Sequence, residues 1–163
     1  MPSFTFTGPY GDIECVVNNY KLNDVVLIMA HGFRGSRDGG GRSTAFAKLA
    51  EGVCKVVRFN FNGSQILSRQ IEELQAVISA VREQYNPEKL FLLGRSLGGA
   101  ASMITASRDE NIDGLILWAT PNDLRKTFLN ALGDELYKKL DVGETLHLED
   151  ERGKMDLTPD FLT

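Results

Sequence analysis

A serine between two glycines, in Gly94-Arg95-Ser96-Leu97-Gly98, is the feature that most constrains how this chain folds. The residues before it, Leu90 to Leu93, are all apolar, which is typical of a strand buried on both faces. Residues 99–106 are mostly small and apolar, which suits a helix packed closely on a sheet. The motif therefore predicts a sharp strand-to-helix turn, in which Gly94 and Gly98 leave space that a Cβ atom would fill.

Strand patterns alternate with helical patterns along the chain after an antiparallel start. Two strands flanking a Gly-Pro turn open the sequence, and apolar runs predict three more strands besides the one before Ser96. Apolar residues spaced at four-three-four intervals from Leu67 to Tyr85 predict a long amphipathic helix, and a shorter one is expected over residues 44–51. Besides the strand before Ser96, the five strands are expected at residues 4–7, 13–17, 25–30, 54–61 and 114–119. This alternation predicts an α/β three-layer sandwich whose sheet is mostly parallel and has about six strands.

The last third of the chain departs from that alternation. Asn122 or Asp123 is a suitable helix N-cap, and Leu124, Phe128, Leu132 and Leu136 predict the inward face of one helix after it. A short hairpin is expected over residues 145–157. We therefore expect residues 1–120 to form the core and residues 121–163 to form a partial lid of the same domain.

A helix-start signal lies very close to the last residue. Thr158-Pro159-Asp160 offers an N-cap, a proline at the first helical position and an acid in the first turn, but the sequence stops at Thr163. This arrangement leads us to expect that the polypeptide is cut short at its C-terminus.

Charge and composition narrow the classes of partner. The net charge is −4 and no basic run occurs, which argues against nucleic acid and anionic membrane as main partners. No apolar stretch reaches the length that spans a bilayer, and the N-terminus lacks a secretory signal, so a cytoplasmic location is expected. Cys15 and Cys54 have no metal or redox spacing and are expected to be buried. No metal or organic cofactor is implied.

The turn at Ser96 has a specific chemical meaning. A serine hydroxyl becomes a good nucleophile only when a base removes its proton and hydrogen-bond donors stabilise the resulting oxyanion. The sequence offers two such donors: the backbone N–H of Leu97, at the start of a predicted helix, and that of Phe33, in the loop after a predicted strand. Arg95 lies inside the same turn, where it would either contact a substrate carboxylate or remain in solvent.

These motifs together resemble a known family. His31-Gly32-Phe33 after an apolar strand, followed two βα units later by residues 94–99, resembles the α/β-hydrolase superfamily. The sequences of residues 29–36 and 58–63 are similar to those of the serine-hydrolase branch that includes cinnamoyl/feruloyl-type esterases and acylaminoacyl-peptidase-like enzymes. The resemblance covers about residues 4 to 120 and implies the fold of that superfamily, C-terminally truncated.

The resemblance also implies residue roles and a reaction. Ser96 would be the nucleophile, Phe33 and Leu97 the oxyanion donors, and His31 a structural residue that braces its loop. The implied reaction is hydrolysis of an ester, thioester or amide of a small acyl substrate through an acyl-enzyme on Ser96.

The sequence departs from the family where the other triad members belong. In this fold an acid and then a histidine follow the serine, each after a later strand. The candidates here are Asp123, which helix capping also explains, and His147, which alternates with two leucines in the predicted hairpin and suits a solvated position. An alternative function is therefore a catalytically incomplete protein that binds a small molecule or serves as an interaction module, or a fragment that needs a second chain. Missing strands would leave a sheet edge open, from which we expect a homo-oligomer.

Overall fold

Six strands form one twisted sheet in the computed structural model, which describes residues 2–19, 21–62, 65–150 and 153–162. The strands are β1 (Ser3–Gly8), β2 (Gly11–Asn18), β3 (Val25–Ala30), β4 (Lys55–Phe59), β5 (Lys89–Arg95) and β6 (Gly114–Trp118). Their order in the sheet is β1-β2-β4-β3-β5-β6. β2 pairs antiparallel with β1 and β4, whereas the pairs β3–β4, β3–β5 and β5–β6 are parallel. The predicted mixed sheet with an antiparallel start is confirmed.

Five helices and a hairpin complete the described structure. The helices are α1 (Arg42–Ala50), α2 (Leu67–Tyr85), α3 (Leu97–Arg108), α4 (Leu124–Leu132) and α5 (Asp134–Asp141), and the hairpin strands are β7 (Leu146–Asp150) and β8 (Gly153–Leu157). Single 3-10 turns occur at Gly39–Gly41 and Pro159–Leu162. Among the described helices, none combines the length and hydrophobicity needed to cross a bilayer.

The sheet is covered on both faces, because its central strands alternate their side chains between two apolar clusters. In β3, Val26 and Ile28 belong to the cluster that includes α2 residues and Ala101 of α3, whereas Leu27 and Met29 belong to the cluster that includes Ala47 of α1. Full burial of a side chain such as Ile28 contributes about 2 kcal/mol to folding. This is the three-layer α/β sandwich that the sequence predicts. Both cysteines are free and buried in it, as expected.

The C-terminal segment differs from its prediction in one respect. The single helix expected from Asp123 through Leu136 is wrong, because Gly133 separates α4 from α5. Its backbone has φ 81° and ψ 158°, a conformation outside the helical range that glycine tolerates. The hairpin is confirmed as β7 paired with β8, although residues 151–152 of its turn lie outside the described residues.

Candidate active site

Ser96 lies at a sharp turn between β5 and α3. Its backbone has φ 51° and ψ −121°, which costs a non-glycine residue on the order of 1–3 kcal/mol. Hydrogen bonds fix the turn from both sides: the Ser96 N–H donates to the Trp118 carbonyl at 3.1 Å, and the Gly99 N–H donates to the Ser96 carbonyl at 2.9 Å. The sequence-predicted strand-to-helix turn is therefore present, with Ser96 in a strained conformation that its neighbours hold.

The glycines singled out in the sequence occupy positions where backbone segments meet. A Cβ atom on Gly94 would overlap the Gly99 Cα, and one on Gly98 would lie 2.6 Å from the Ala30 carbonyl oxygen. A Cβ atom on Gly32 would lie 2.9 Å from the Ser96 Cβ and 3.5 Å from its Oγ. Gly32 thus brings the loop after β3 directly against the serine.

The two predicted oxyanion donors lie on either side of this contact. Phe33 follows Gly32 in the loop after β3, and Leu97 is the first residue of α3. Their side chains pack in one apolar cluster. Within the described residues, neither backbone N–H donates a hydrogen bond to a protein acceptor.

His31 is engaged by the backbone through both ring nitrogens. Its Nδ1 lies 2.9 Å from the Gly32 carbonyl oxygen, to which it donates, and its Nε2 accepts the Phe61 N–H at 3.2 Å. The ring also makes an edge contact with the Phe61 ring, at 5.0 Å between centroids. Burial lowers the pKa of His31, which favours the neutral imidazole that these two bonds require. The histidine joins the loop after β3 to the end of β4.

The structure does not bring the two candidate triad partners to Ser96. Asp123 is the N-cap of α4, where its carboxylate accepts the Lys126 N–H at 2.9 Å. His147 lies on β7 with 78% of its side chain exposed, and its Nδ1 is 2.7 Å from Asp156 Oδ1 on β8. Among the described residues, no side chain is hydrogen-bonded to the Ser96 hydroxyl.

An open cleft of about 460 Å³ lies in front of Ser96. It is lined by residues 32–36, Gly39, Gly40, Arg42, Arg95 and Ser96. A smaller apolar cavity of about 200 Å³ is lined by Leu97 and by α4 and α5 side chains, including Phe128 and Tyr137. No group of three His, Cys, Asp or Glu side chains suited to a metal ion occurs in the part of the chain that the structure describes.

A buried arginine that the sequence analysis missed holds the glycine-rich wall of the cleft. Arg58 of β4 is fully buried, and its Nη1 donates to Asp38 Oδ1 at 2.6 Å and to Thr44 Oγ1 at 3.2 Å. These partners flank the Gly39–Gly41 turn. The available signal was a charged residue, Arg58, between the apolar residues Val57 and Phe59 of a predicted strand, because a buried guanidinium requires such partners.

Comparison with known proteins identifies the fold family. The family model of the α/β hydrolase fold matches residues 25–155. The chain belongs to the α/β-hydrolase family. The superfamily resemblance at residues 31–33 and 94–99 is thereby confirmed.

Individual proteins of known sequence or structure are also similar to this hydrolase-family chain. The quorum-quenching protein AidA of Acinetobacter baumannii is 30% identical over 122 residues, which are 64% of this chain and 40% of that protein. An alpha-beta serine hydrolase homologue from Coxiella burnetii is 28% identical with a TM-score of 0.65, covering 74% of this chain and 63% of that structure. A serine hydrolase without a lid from Xanthomonas campestris is 27% identical with a TM-score of 0.65, covering 76% and 62%. The chain thus spans less than two thirds of the length of each of these relatives.

Proposed function

We propose that this hydrolase-family chain uses Ser96 as the nucleophile of a serine hydrolase acting on an ester, thioester or amide of a small acyl compound. The observation that carries the proposal is the backbone of Ser96, which has a φ of 51° at the β5–α3 turn, in a residue that lines an open cleft. Strained backbone conformations of this kind cluster at active sites. The similarity to two serine hydrolases at 28% and 27% identity supports the same assignment.

The neighbouring backbone supplies the second part of the mechanism. The Ser96 Oγ would attack the substrate carbonyl carbon, and the carbonyl oxygen would become an oxyanion between the N–H groups of Phe33 and Leu97. Collapse of this tetrahedral species expels the alcohol, thiol or amine, which takes up the proton that the Ser96 hydroxyl gives up, and leaves an acyl group on Ser96. Water then attacks the acyl-enzyme, which releases the acid and restores the Ser96 hydroxyl.

His31 has a supporting role in this proposal. Because both of its ring nitrogens bind backbone groups, it would fix the loop that carries the Phe33 N–H and would not accept the Ser96 proton. Asp123 and His147 remain the sequence candidates for acid and base. Their observed partners, the Lys126 N–H and Asp156, favour the capping and hairpin interpretations instead.

We further propose that residues 121–163 act as a partial lid over the core formed by residues 1–120. Phe128 of α4 and Phe161 pack against Phe33, with ring centroids 5.1 Å and 5.6 Å from its ring. The ion pair between Arg34 and Asp150 of β7, at 2.8 Å, adds a polar contact between the same two parts. The segment would therefore cover one side of the cleft and shape the access of substrate.

A second candidate function is that of a hydrolase-fold protein that binds a small molecule without turnover. The observation that favours it is the Ser96 hydroxyl itself, which has no hydrogen-bonded base within the described ranges of the chain. A serine without a base is a poor nucleophile at neutral pH.

Labelling with a fluorophosphonate probe and hydrolysis of p-nitrophenyl acetate distinguish the two functions. We expect the unmodified protein to be labelled and to show a burst of nitrophenol, and Ser96→Ala to show neither. Ser107→Ala, which removes an exposed serine at the other end of α3, is the matched control and should behave like the unmodified protein. Equal signals from all three proteins would overturn the nucleophile assignment, and absence of labelling throughout would favour the binding function.

A further inference from the structure

The cleft in front of Ser96 is positively charged, although the protein as a whole is acidic. Three arginines line it, Arg34, Arg42 and Arg95, and no Asp or Glu is among its described lining residues. The net charge of the whole chain is −4, so this concentration of positive charge is local. A cleft lined by one sign of charge raises the local concentration of ligands of the opposite sign.

One of the three guanidinium groups is already used within the protein. Arg34 donates through Nη1 to Asp150 Oδ2 at 2.8 Å and through Nη2 to the Gly153 carbonyl at 2.7 Å. Its side chain is only 9% exposed. Arg34 therefore serves the contact between the loop after β3 and the hairpin, and its charge is balanced.

The other two guanidinium groups have no carboxylate partner within the described residues. Arg42 is the first residue of α1 and is exposed at the rim of the cleft. Arg95 directly precedes Ser96 and is half-buried, with its guanidinium carbon 5.8 Å from the centre of the Trp118 ring. An indole face beside a guanidinium restricts its orientation while leaving its N–H donors available. Two arginines without a carboxylate partner among the described residues thus line the same cleft as the serine.

We propose that Arg42 and Arg95 bind an anionic group, a carboxylate or a phosphate, on the molecule that occupies the Ser96 cleft. The guanidinium fork matches the paired oxygens of both groups, and such charge-assisted hydrogen bonds are stronger than neutral ones. The part of this inference that concerns the substrate rests on the function proposed for Ser96. With Ser96 as nucleophile, the two arginines would favour acyl compounds that carry a negative charge.

Binding to a protein that cannot turn over tests this inference separately from catalysis. In the Ser96→Ala background, calorimetry would compare monomethyl glutarate and methyl phosphate, both anionic, with neutral dimethyl glutarate. We expect at least one anion to bind about tenfold more tightly than the neutral diester, because the diester cannot form a charge-assisted hydrogen bond with a guanidinium group. The anion that binds identifies carboxylate or phosphate as the natural group.

Arginine variants in the same background locate the site. Arg42→Gln and Arg95→Gln should each weaken binding of that anion about tenfold, whereas Arg108→Gln, at the exposed end of α3, should leave it unchanged. Circular dichroism checks that each variant folds, and Arg42→Glu provides a second exposed substitution should Arg95→Gln fail to fold. Equal affinity for anionic and neutral probes, or an equal effect of Arg108→Gln, would overturn the inference.

Turnover distinguishes failure of this inference from failure of the proposed function. If Ser96 is labelled by the fluorophosphonate probe but neither anion is preferred, the hydrolase proposal stands and the arginine inference falls. If an anion binds through Arg42 and Arg95 but Ser96 is not labelled, the cleft is an anion-binding site in a protein without turnover. In an active protein, mono-4-nitrophenyl glutarate should have a KM about tenfold below that of 4-nitrophenyl butyrate.

Discussion

Gly98 is the point at which α3 comes closest to the end of β3. A Cβ atom there would overlap the His31 carbonyl oxygen and lie 2.6 Å from that of Ala30. The backbone of Ala30 has little freedom to move aside, since it pairs with Gly94 in the parallel ladder between β3 and β5. The second glycine of the sequence motif is thus required by packing beside Ser96 as well as by the turn.

Gly98→Ala is accordingly expected to lower the free energy of unfolding by about 3 kcal/mol, the upper range for overpacking. Gly52→Ala is the matched control, because a Cβ at Gly52 would meet nothing within 4 Å. Urea denaturation measures both variants. Equal midpoints for the two would show that the α3–β3 contact has room that the structure does not indicate.

At the level of residues, the sequence was informative where a conformation demands one amino acid. Ser96, Gly94 and Gly98 were predictable because a strand-to-helix turn imposes their steric requirements locally. For Asp123 and His147, the sequence left both a catalytic and a structural interpretation open. Capping and cross-strand pairing depend on local geometry, whereas a catalytic triad depends on contacts between distant segments, which a single sequence does not reveal.

Among the elements, α2 carries a buried acid that its amphipathic pattern does not explain. Glu73 is fully buried, and its Oε1 accepts the Asn62 N–H at 2.9 Å. Its Oε2 has no hydrogen-bond partner within the described residues. Burial raises the pKa of Glu73, so the folded state binds a proton more readily than the unfolded chain does. The stabilisation that follows is fully present below the unfolded pKa, about 4.3, and is lost as pH rises through the folded pKa.

Glu73→Gln should therefore stabilise the protein at pH 7 to 8 by about 1 kcal/mol, because it removes an unsatisfied buried charge and keeps the acceptor for the Asn62 N–H. The gain should disappear well below the unfolded pKa of about 4.3, where Glu73 is protonated in both states. Thermal denaturation across this pH range measures the difference. Glu83→Gln, an exposed substitution on the same helix, should show no such pH dependence; a matching profile would refute the burial argument.

Element boundaries show where periodicity suffices and where it fails. The helix from Leu67 to Tyr85 was predictable to the residue, since its apolar stripe continues without interruption. The break at Gly133 was not, because Leu132 and Leu136 keep a helical spacing across it. The full burial of Lys55 and Arg58 in β4 was also missed, since the partners of Arg58 lie on segments distant in sequence.

For the molecule as a whole, the described sheet ends at β6 with an unpaired edge. Ile116 and Leu117 of this strand are each 45% exposed, an unusual exposure for apolar residues of a parallel strand. Unpaired backbone groups next to exposed apolar side chains favour pairing with another chain. The self-association expected from the sequence would therefore occur at the β6 edge.

We expect light scattering at increasing protein concentration to detect dimers or larger species, and Leu117→Lys to reduce them, since a charge at an edge strand opposes pairing. Leu49→Lys is the control, because Leu49 is 85% exposed on α1, away from the sheet edge. A monomer at every concentration, or equal dissociation by the control, would exclude the β6 edge as the interface.

Arg34 joins two parts of the molecule that are 119 residues apart in sequence. Its backbone N–H donates to Gln65 Oε1 at 2.9 Å, and its guanidinium bonds the hairpin at Asp150 and Gly153. One residue is therefore a noncovalent cross-link among three chain segments, and it directly follows Phe33. Separation of the hairpin from the core would have to break that cross-link, so the position of the Phe33 amide is coupled to the docking of the C-terminal segment.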